Sequence, residues 1–371
     1  ERMTIFALSI MPYISAAIIM QLMSSVSPKL EALKKEGEQG QKKINQYTRY
    51  GTVILATVQA YGISVGMEGM TSSTGPVVLD PGVFFRASTV ITLVGGTLFL
   101  MWLGEQITAR GVGNGISLII FSGIVAELPS ALAATLELGR TGAISALVIV
   151  GILVMVAAVI TFIVFVERAQ RRLIVQYPKR QMGNRMYGGE SSHLPLKINT
   201  PGVIPPIFAS ALLLMPVTVA GFSAGQGPEW MTMITAHLGR GQPVFLILYA
   251  SLIIFFAFFY TAVVFNPTDT ADNLKKYGGF IPGIRPGKNT ADYLDYVLTR
   301  LTVVGASYLT LISLLPEMLI SKFAVPFYFG GTSLLIVVTV TMDTVAQVQS
   351  HLLAHQYEGL IKKSRLRGRQ R

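Results

Sequence analysis

Side chains able to do chemistry are scarce in this sequence, and those present do not converge. Of its four histidines, His193 and His237 stand alone, while His351 and His355 share a helical face at i, i+4, a spacing that any helix surface also shows. Cysteine is absent, which removes thiolate metal sites and Cys nucleophiles from consideration. Gly111-Val112-Gly113-Asn114-Gly115 resembles a phosphate cradle at first sight. It follows no strand pattern, has no Walker lysine and opens an apolar run, so it reads as a turn and helix cap. The chemically active residues are instead cations. Arg168, Arg171, Arg172, Lys179, Arg180 and Arg185 lie within 167–200, interleaved with Tyr177 and Tyr187. Arg285 occupies the tight, exposed turn Gly283-Ile284-Arg285-Pro286-Gly287 within 266–300. Cations grouped in this way can engage RNA phosphates, acidic protein surfaces or anionic lipid.

The elements that must position these cations are apolar helices. The chain has 371 residues, 51% hydrophobic and only 13% charged, too few charges to coat a soluble protein of this size. Nine segments are nearly free of Asp, Glu, Lys and Arg: Met3–Val26, Tyr50–Met67, Ala87–Gly104, Gly115–Leu132, Ala143–Val166, Val203–Phe222, Val244–Phe265, Leu301–Ile320 and Phe327–Val345. Each approaches the roughly 20 residues a bilayer-spanning helix needs. The fold class is therefore an all-α polytopic membrane protein. Across alternate gaps the basic residues separate. Arg2, Arg86, Arg140, Arg240 and Lys322 fall on one side and every other Lys and Arg on the opposite one, which the positive-inside rule assigns to the cytoplasm along with the C-terminal tail. The net charge of +11 is thus first a topology signal. An odd number of spans leaves Glu1 outside, so one preceding span is expected.

Intramembrane ionisable groups, the usual mark of a proton relay or ion path, are almost missing. Glu105, Arg110, Glu317, Lys322 and Asp343 all read as interfacial. That weakens a coupled solute transporter with broken helices, the competing reading, and no nucleophile or metal set supports an enzyme. Pro12 is expected to interrupt the first span, and Pro201, Pro205, Pro206 and Pro216 the sixth.

Several long strings then resemble the SecY family, the channel subunits of the bacterial Sec protein translocon, in its proteobacterial form. They are Ile10-Met11-Pro12-Tyr13-Ile14-Ser15-Ala16, Gln46-Tyr47-Thr48-Arg49-Tyr50-Gly51, Trp102-Leu103-Gly104-Glu105-Gln106-Ile107-Thr108, Val166-Glu167-Arg168, His193-Leu194-Pro195-Leu196-Lys197, Thr270-Ala271-Asp272-Asn273-Leu274-Lys275-Lys276 and Pro326-Phe327-Tyr328-Phe329-Gly330-Gly331. The resemblance implies a ten-helix channel of two pseudo-symmetric halves, of which nine transmembrane helices are present. In that order 1–166 supplies helices two to six, 201–265 helices seven and eight, and 301–345 helices nine and ten. The segments 167–200 and 266–300 are basic cytoplasmic loops, and 346–371 is a basic tail.

By the same resemblance the pore ring is Ile10, Ile14, Ile116, Ile120, Ile207 and Ile336, and Ser15 and Gln21 belong to a lateral gate. The two loops, with Arg168, Arg171, Arg172, Lys179, Arg180, Arg185 and Arg285, dock the ribosome through its rRNA or the SecA motor ATPase. Gly183-Asn184-Arg185 departs from forms with two adjacent arginines there. Further implied partners are the SecE and SecG subunits, signal peptides, nascent chains and membrane lipids. No cofactor and no enzymatic activity are implied, and the location is the bacterial inner membrane.

Overall fold

A computed structural model describes residues 4–68, 71–72, 75–142, 145–177, 180–182, 185–187, 191–221, 242–323 and 331–368. Eleven helices occur among them: α1 Met11–Val26, α2 Pro28–Lys35, α3 Glu38–Glu68, α4 Val83–Arg110, α5 Gly115–Arg140, α6 Ala146–Arg168, α7 Ile204–Gly221, α8 Pro243–Val264, α9 Pro267–Lys276, α10 Lys288–Phe323 and α11 Gly331–Gly368. Six of the described helices are long and apolar enough to cross a membrane, and Met11–Ser24 and Ile204–Leu213 are shorter apolar helices. The α6 helix is apolar all round and leaves Leu147 and Phe165 exposed, as a helix surrounded by lipid does. Three of the prolines act differently from the expectation, whereas Pro216 lies within α7, Ile204–Gly221. Pro12 stands in the first turn of α1, after the turns of residues 5–10, and Pro205 and Pro206 stand in the first turn of α7. There the missing N–H is no loss, so they start helices rather than break them.

The chain divides into two compact units. The first holds Glu1–Ala133, Leu214–Ala236 and Ile336–Arg371. Its centre is the pair α3 and α4. Along α3 the small residues Thr48, Thr52, Ala56, Ala60 and Ser64 recur every four positions and are all buried, a stripe that lets helices approach closely. Leu8, Ala60 and Leu93 form a core with Ile63, Val90 and Val94 around it. Ion pairs tie the two helices near both ends: Arg49 to Glu105 at 2.7 Å and Arg86 to Glu68 at 2.6 Å.

The second unit holds Ala134–Leu213 and His237–Leu335. Here the chain departs from an all-helical plan outside the spans. Strands β3 Gln170–Gln176 and β6 Ser191–Lys197 pair antiparallel as a ribbon, Gln170 opposite Lys197 and Gln176 opposite Ser191, and β4 Arg180–Met182 pairs with β5 Arg185–Tyr187 as a second two-stranded sheet. A two-residue pair, β1 Thr71–Ser72 with β2 Gly75–Pro76, lies in the first unit. Leu173 and Val175 face inward at period two, as a strand with one covered face requires. What covers them is the other basic loop.

Candidate functional site

The two basic loops, read from the sequence as separate, fold as one body. Leu173 and Leu196 of the ribbon, Ile281 of the turn, and Leu294, Val297 and Leu298 of α10 form a single buried cluster, flanked by Leu194, Phe265, Ile284 and Tyr293. Gln176 and Phe280 exchange backbone hydrogen bonds, both 2.9 Å, so the segment before Ile281 lies along the ribbon like a third strand. Gly279 makes this approach possible, since a Cβ there would meet Tyr177 at 3.0 Å and Val175 at 3.1 Å. Asn266 caps α9 through a 3.0 Å bond from the Thr268 amide, and Lys275 and Lys276 occupy its last turn, where cations favour the helix dipole.

Arg168, Arg171, Arg172 and Arg285 are exposed. The backbone carbonyl of Arg285 accepts from the Thr290 hydroxyl at 3.0 Å. The flanking Gly283 and Gly287 have φ of 82° and 107°, values that a side chain would strain, so these glycines set the turn that presents the guanidinium. Arg180 and Arg185 stand in β4 and β5, opposite Tyr187 and Met182. Lys179 and Asn184 lie outside the described residues.

The residues that the resemblance assigns to a pore ring are distributed over four helices. In the first unit Ile10 is buried at the N-cap of α1 and Ile14 is half-buried one turn later, its amide donating to the Ile10 carbonyl at 3.1 Å. Ser15 and Gln21 follow on the same helix, both half-buried. Ile116 and Ile120 occupy the first turns of α5, half-buried, and Ile336 is buried on α11. The turn from α4 to α5 is fastened to α11, with the Gly113 amide donating to Gln347 Oε1 at 2.8 Å. In the second unit Ile207 is half-buried in the first turns of α7, and its neighbour Phe208 packs edge-on against Phe256 of α8 with ring centroids 5.6 Å apart.

The glycine-rich turn is a cap, as expected. Asn114 Oδ1 accepts from the Ile116 and Ser117 amides at 3.1 and 3.4 Å, and Thr108 Oγ1 from the Gly115 amide at 2.8 Å. These amides are engaged within the protein and do not present a phosphate cradle. Among the described residues no three His, Asp or Glu side chains are grouped to hold a metal ion.

The SecY family profile matches residues 4–345. This chain belongs to the SecY family. It is 58% identical over 366 residues to the protein translocase subunit SecY of Rickettsia conorii, covering 99% of this chain and 84% of that one. To the subunit of the same name from Escherichia coli K12 it is 58% identical over 369 residues, covering 99% and 83%. The fold agrees with that of a solved SecY protein whose plug domain is described as stabilising the closed state of the translocation channel. The TM-score is 0.67 at 18% identity, covering 94% of this chain and 82% of that one. Sec61 in a canine ribosome–channel complex from the endoplasmic reticulum gives 0.62 at 17%, covering 94% and 81%.

Sequence reading missed two features of this site. One is the ribbon itself, whose signal was the run Leu173-Ile174-Val175 between charged residues. The other is a buried polar contact at the ribbon's root, between Glu167 and Asn199. Its signal was a carboxylate closing the apolar run of α6, where solvent-facing charge would have served equally well.

Proposed function

We infer that this chain is the channel-forming subunit of a protein translocase in the bacterial inner membrane, passing unfolded secretory proteins across and releasing apolar segments sideways into lipid. The observation that carries the reading is the family match from residue 4 to 345, which includes every isoleucine assigned to the ring. Ile10, Ile14, Ile116, Ile120, Ile207 and Ile336 form the constriction. Isoleucine is stiff at χ1 and wholly apolar, so a narrow ring of it disfavours water and ions by dewetting and offers a passing polypeptide no polar partner. The near absence of intramembrane charge fits this role, because a fixed charge at the waist would favour some substrates and repel others.

Ser15 and Gln21 lie on the gate side of α1, through which a signal sequence partitions because lipid suits its side chains better than water does. The ribbon and the Arg285 turn lie in the cytoplasm, as does the C-terminal tail. Arg168, Arg171, Arg172, Lys179, Arg180, Arg185 and Arg285 engage ribosomal RNA or the SecA motor, with SecE and SecG as companion subunits. A photo-crosslinker placed at Ile120 tests the pore assignment. A stalled secretory chain engaged in the channel should give a strong adduct there. No adduct from an engaged complex that does crosslink at other positions would remove Ile120 from the path.

A further inference from the structure

Among the described residues the buried polar side chains other than hydroxyls are Glu167 and Asn199, and both stand at the junction where the ribbon meets the spans. Glu167, next to last in α6, is 9% exposed, and Asn199, two residues beyond β6, is 3% exposed. Asn199 Nδ2 donates to Glu167 Oε1 at 2.6 Å and to the Gly202 carbonyl at 3.2 Å. Its Oδ1 is buried and accepts no hydrogen bond from the protein, so both anchoring bonds come from the one nitrogen. Between the two residues in sequence lies the ribbon, whose first rung outside the strands is the Ile198 amide donating to the Ala169 carbonyl at 3.2 Å.

Two elements converge on this contact. On α10, Gly305 brings the helix against the Ile198 carbonyl, which would lie 2.8 Å from a Cβ at that position. Tyr308, three residues on, is buried, its ring edge-on to Phe162 of α6 with centroids 5.8 Å apart. On the other side Gly202, with φ of 64°, leads directly into α7 and so to Ile207. A hydrogen bond between an amide and a carboxylate, shielded from water, is short, strong and directional. A solvated loop root would have none of these properties.

We propose that Glu167 and Asn199 are positioning residues, a clasp that couples the basic docking body to the start of α7. Resting on the reading of that body as the docking surface and of Ile207 as a ring residue, the clasp transmits the engagement of a motor or ribosome to the constriction. With the clasp broken, the ribbon still binds its partner, but its root turns on the Pro201-Gly202 link and the push is lost before α7.

The test uses the full-length protein assembled with its partner subunits in proteoliposomes, measuring motor affinity and translocation rate per bound motor separately. Asn199→Leu should leave affinity within about twofold and lower the rate about tenfold, while Glu167→Gln, which keeps an acceptor at Oε1, should retain most of it. Should Asn199→Leu fail to accumulate, Asn199→Ala removes the donor without adding bulk or charge and is read in the same way.

A rescue separates positioning from general damage. Gln170 and Lys197 are facing partners one step from the rung at Ala169 and Ile198, at a position where side chains lie close. With no native cysteine, Gln170→Cys with Lys197→Cys forms one defined disulfide, which should restore the rate of Asn199→Leu when oxidised and not when reduced. An unchanged rate in Asn199→Leu, or a loss that the oxidised pair does not restore, overturns the clasp. Arg285→Glu measured alongside should weaken motor affinity. An unaltered affinity there would overturn the docking assignment, whatever the clasp variants show.

Discussion

Two of the polar joints between elements of this protein are built on opposite principles. In the first unit Arg49 of α3 reaches Glu105 of α4 through two parallel bonds of 2.8 and 2.7 Å, yet the Arg49 side chain is 50% exposed. In the second unit Glu167 and Asn199 make a single bond of 2.6 Å with both residues buried. The exposed pair has ideal fork geometry, but water and salt compete for both charges, so its net contribution is small. The buried pair has one formal charge and no competing solvent, so a bond lost there is not replaced by water as it is at the surface. The α3–α4 pair does not depend on its ion pair, because the small-residue stripe from Thr48 to Ser64 already packs it. The ribbon root has no such stripe, and the clasp is what fixes its angle.

The largest expected effect follows from the buried joint. Glu167→Ala should destabilise the second unit by about 1–3 kcal/mol, the loss of a buried hydrogen bond to a charged group that leaves Asn199 its bond to the Gly202 carbonyl, read as a lower unfolding midpoint of the purified complex. A loss no greater than that of Glu167→Gln would mean that water satisfies Asn199 as well as the carboxylate does. Arg49→Ala should cost less than about 1 kcal/mol, and the difference from the parent should shrink further in high salt. A salt-independent loss would show that this pair, too, works without solvent.

The smallest and most local effect concerns the opposite end of α3. The Arg86 guanidinium, helped by the Gly82 amide at 3.1 Å, holds the Glu68 carboxyl below its ordinary pKa of 4.5. A depressed carboxylate contributes its stabilisation fully above that ordinary value and loses it as pH falls through the lower folded one. Amide exchange protection at Gly82 should therefore be constant near neutrality and decline only below about pH 4.5, and Glu68→Gln should show the declined value at pH 7. Protection that is insensitive to both would assign the turn to backbone packing alone.

How much could be read without coordinates differs by region. The spans were legible because lipid imposes one requirement on every residue of a helix, and lack of charge over about 20 positions is hard to produce otherwise. The cap at Asn114 was legible because capping is local. The ribbon was not, since Leu173-Ile174-Val175 is short, and its partner strand contains Pro195 and begins 18 positions later, at Ser191. The union of the two basic loops was less legible still. Leu173 and Leu294 belong to one core, and nothing local to either announces the other. The role of the isoleucines came from resemblance, because an apolar residue in an apolar helix has no individual signature.

The sequence alone determined that this chain lives in a membrane, which loops collect its positive charge, and to which family it belongs. These follow from composition, periodicity and contiguous motifs, all properties of neighbours along the chain. Only the tertiary structure decided that the two basic loops are one folded body, that Arg285 stands on a turn braced by a ribbon far away in sequence, and that Glu167 faces Asn199 rather than water. Burial is a property of neighbours in space, and it is burial that turns an interfacial carboxylate into a joint.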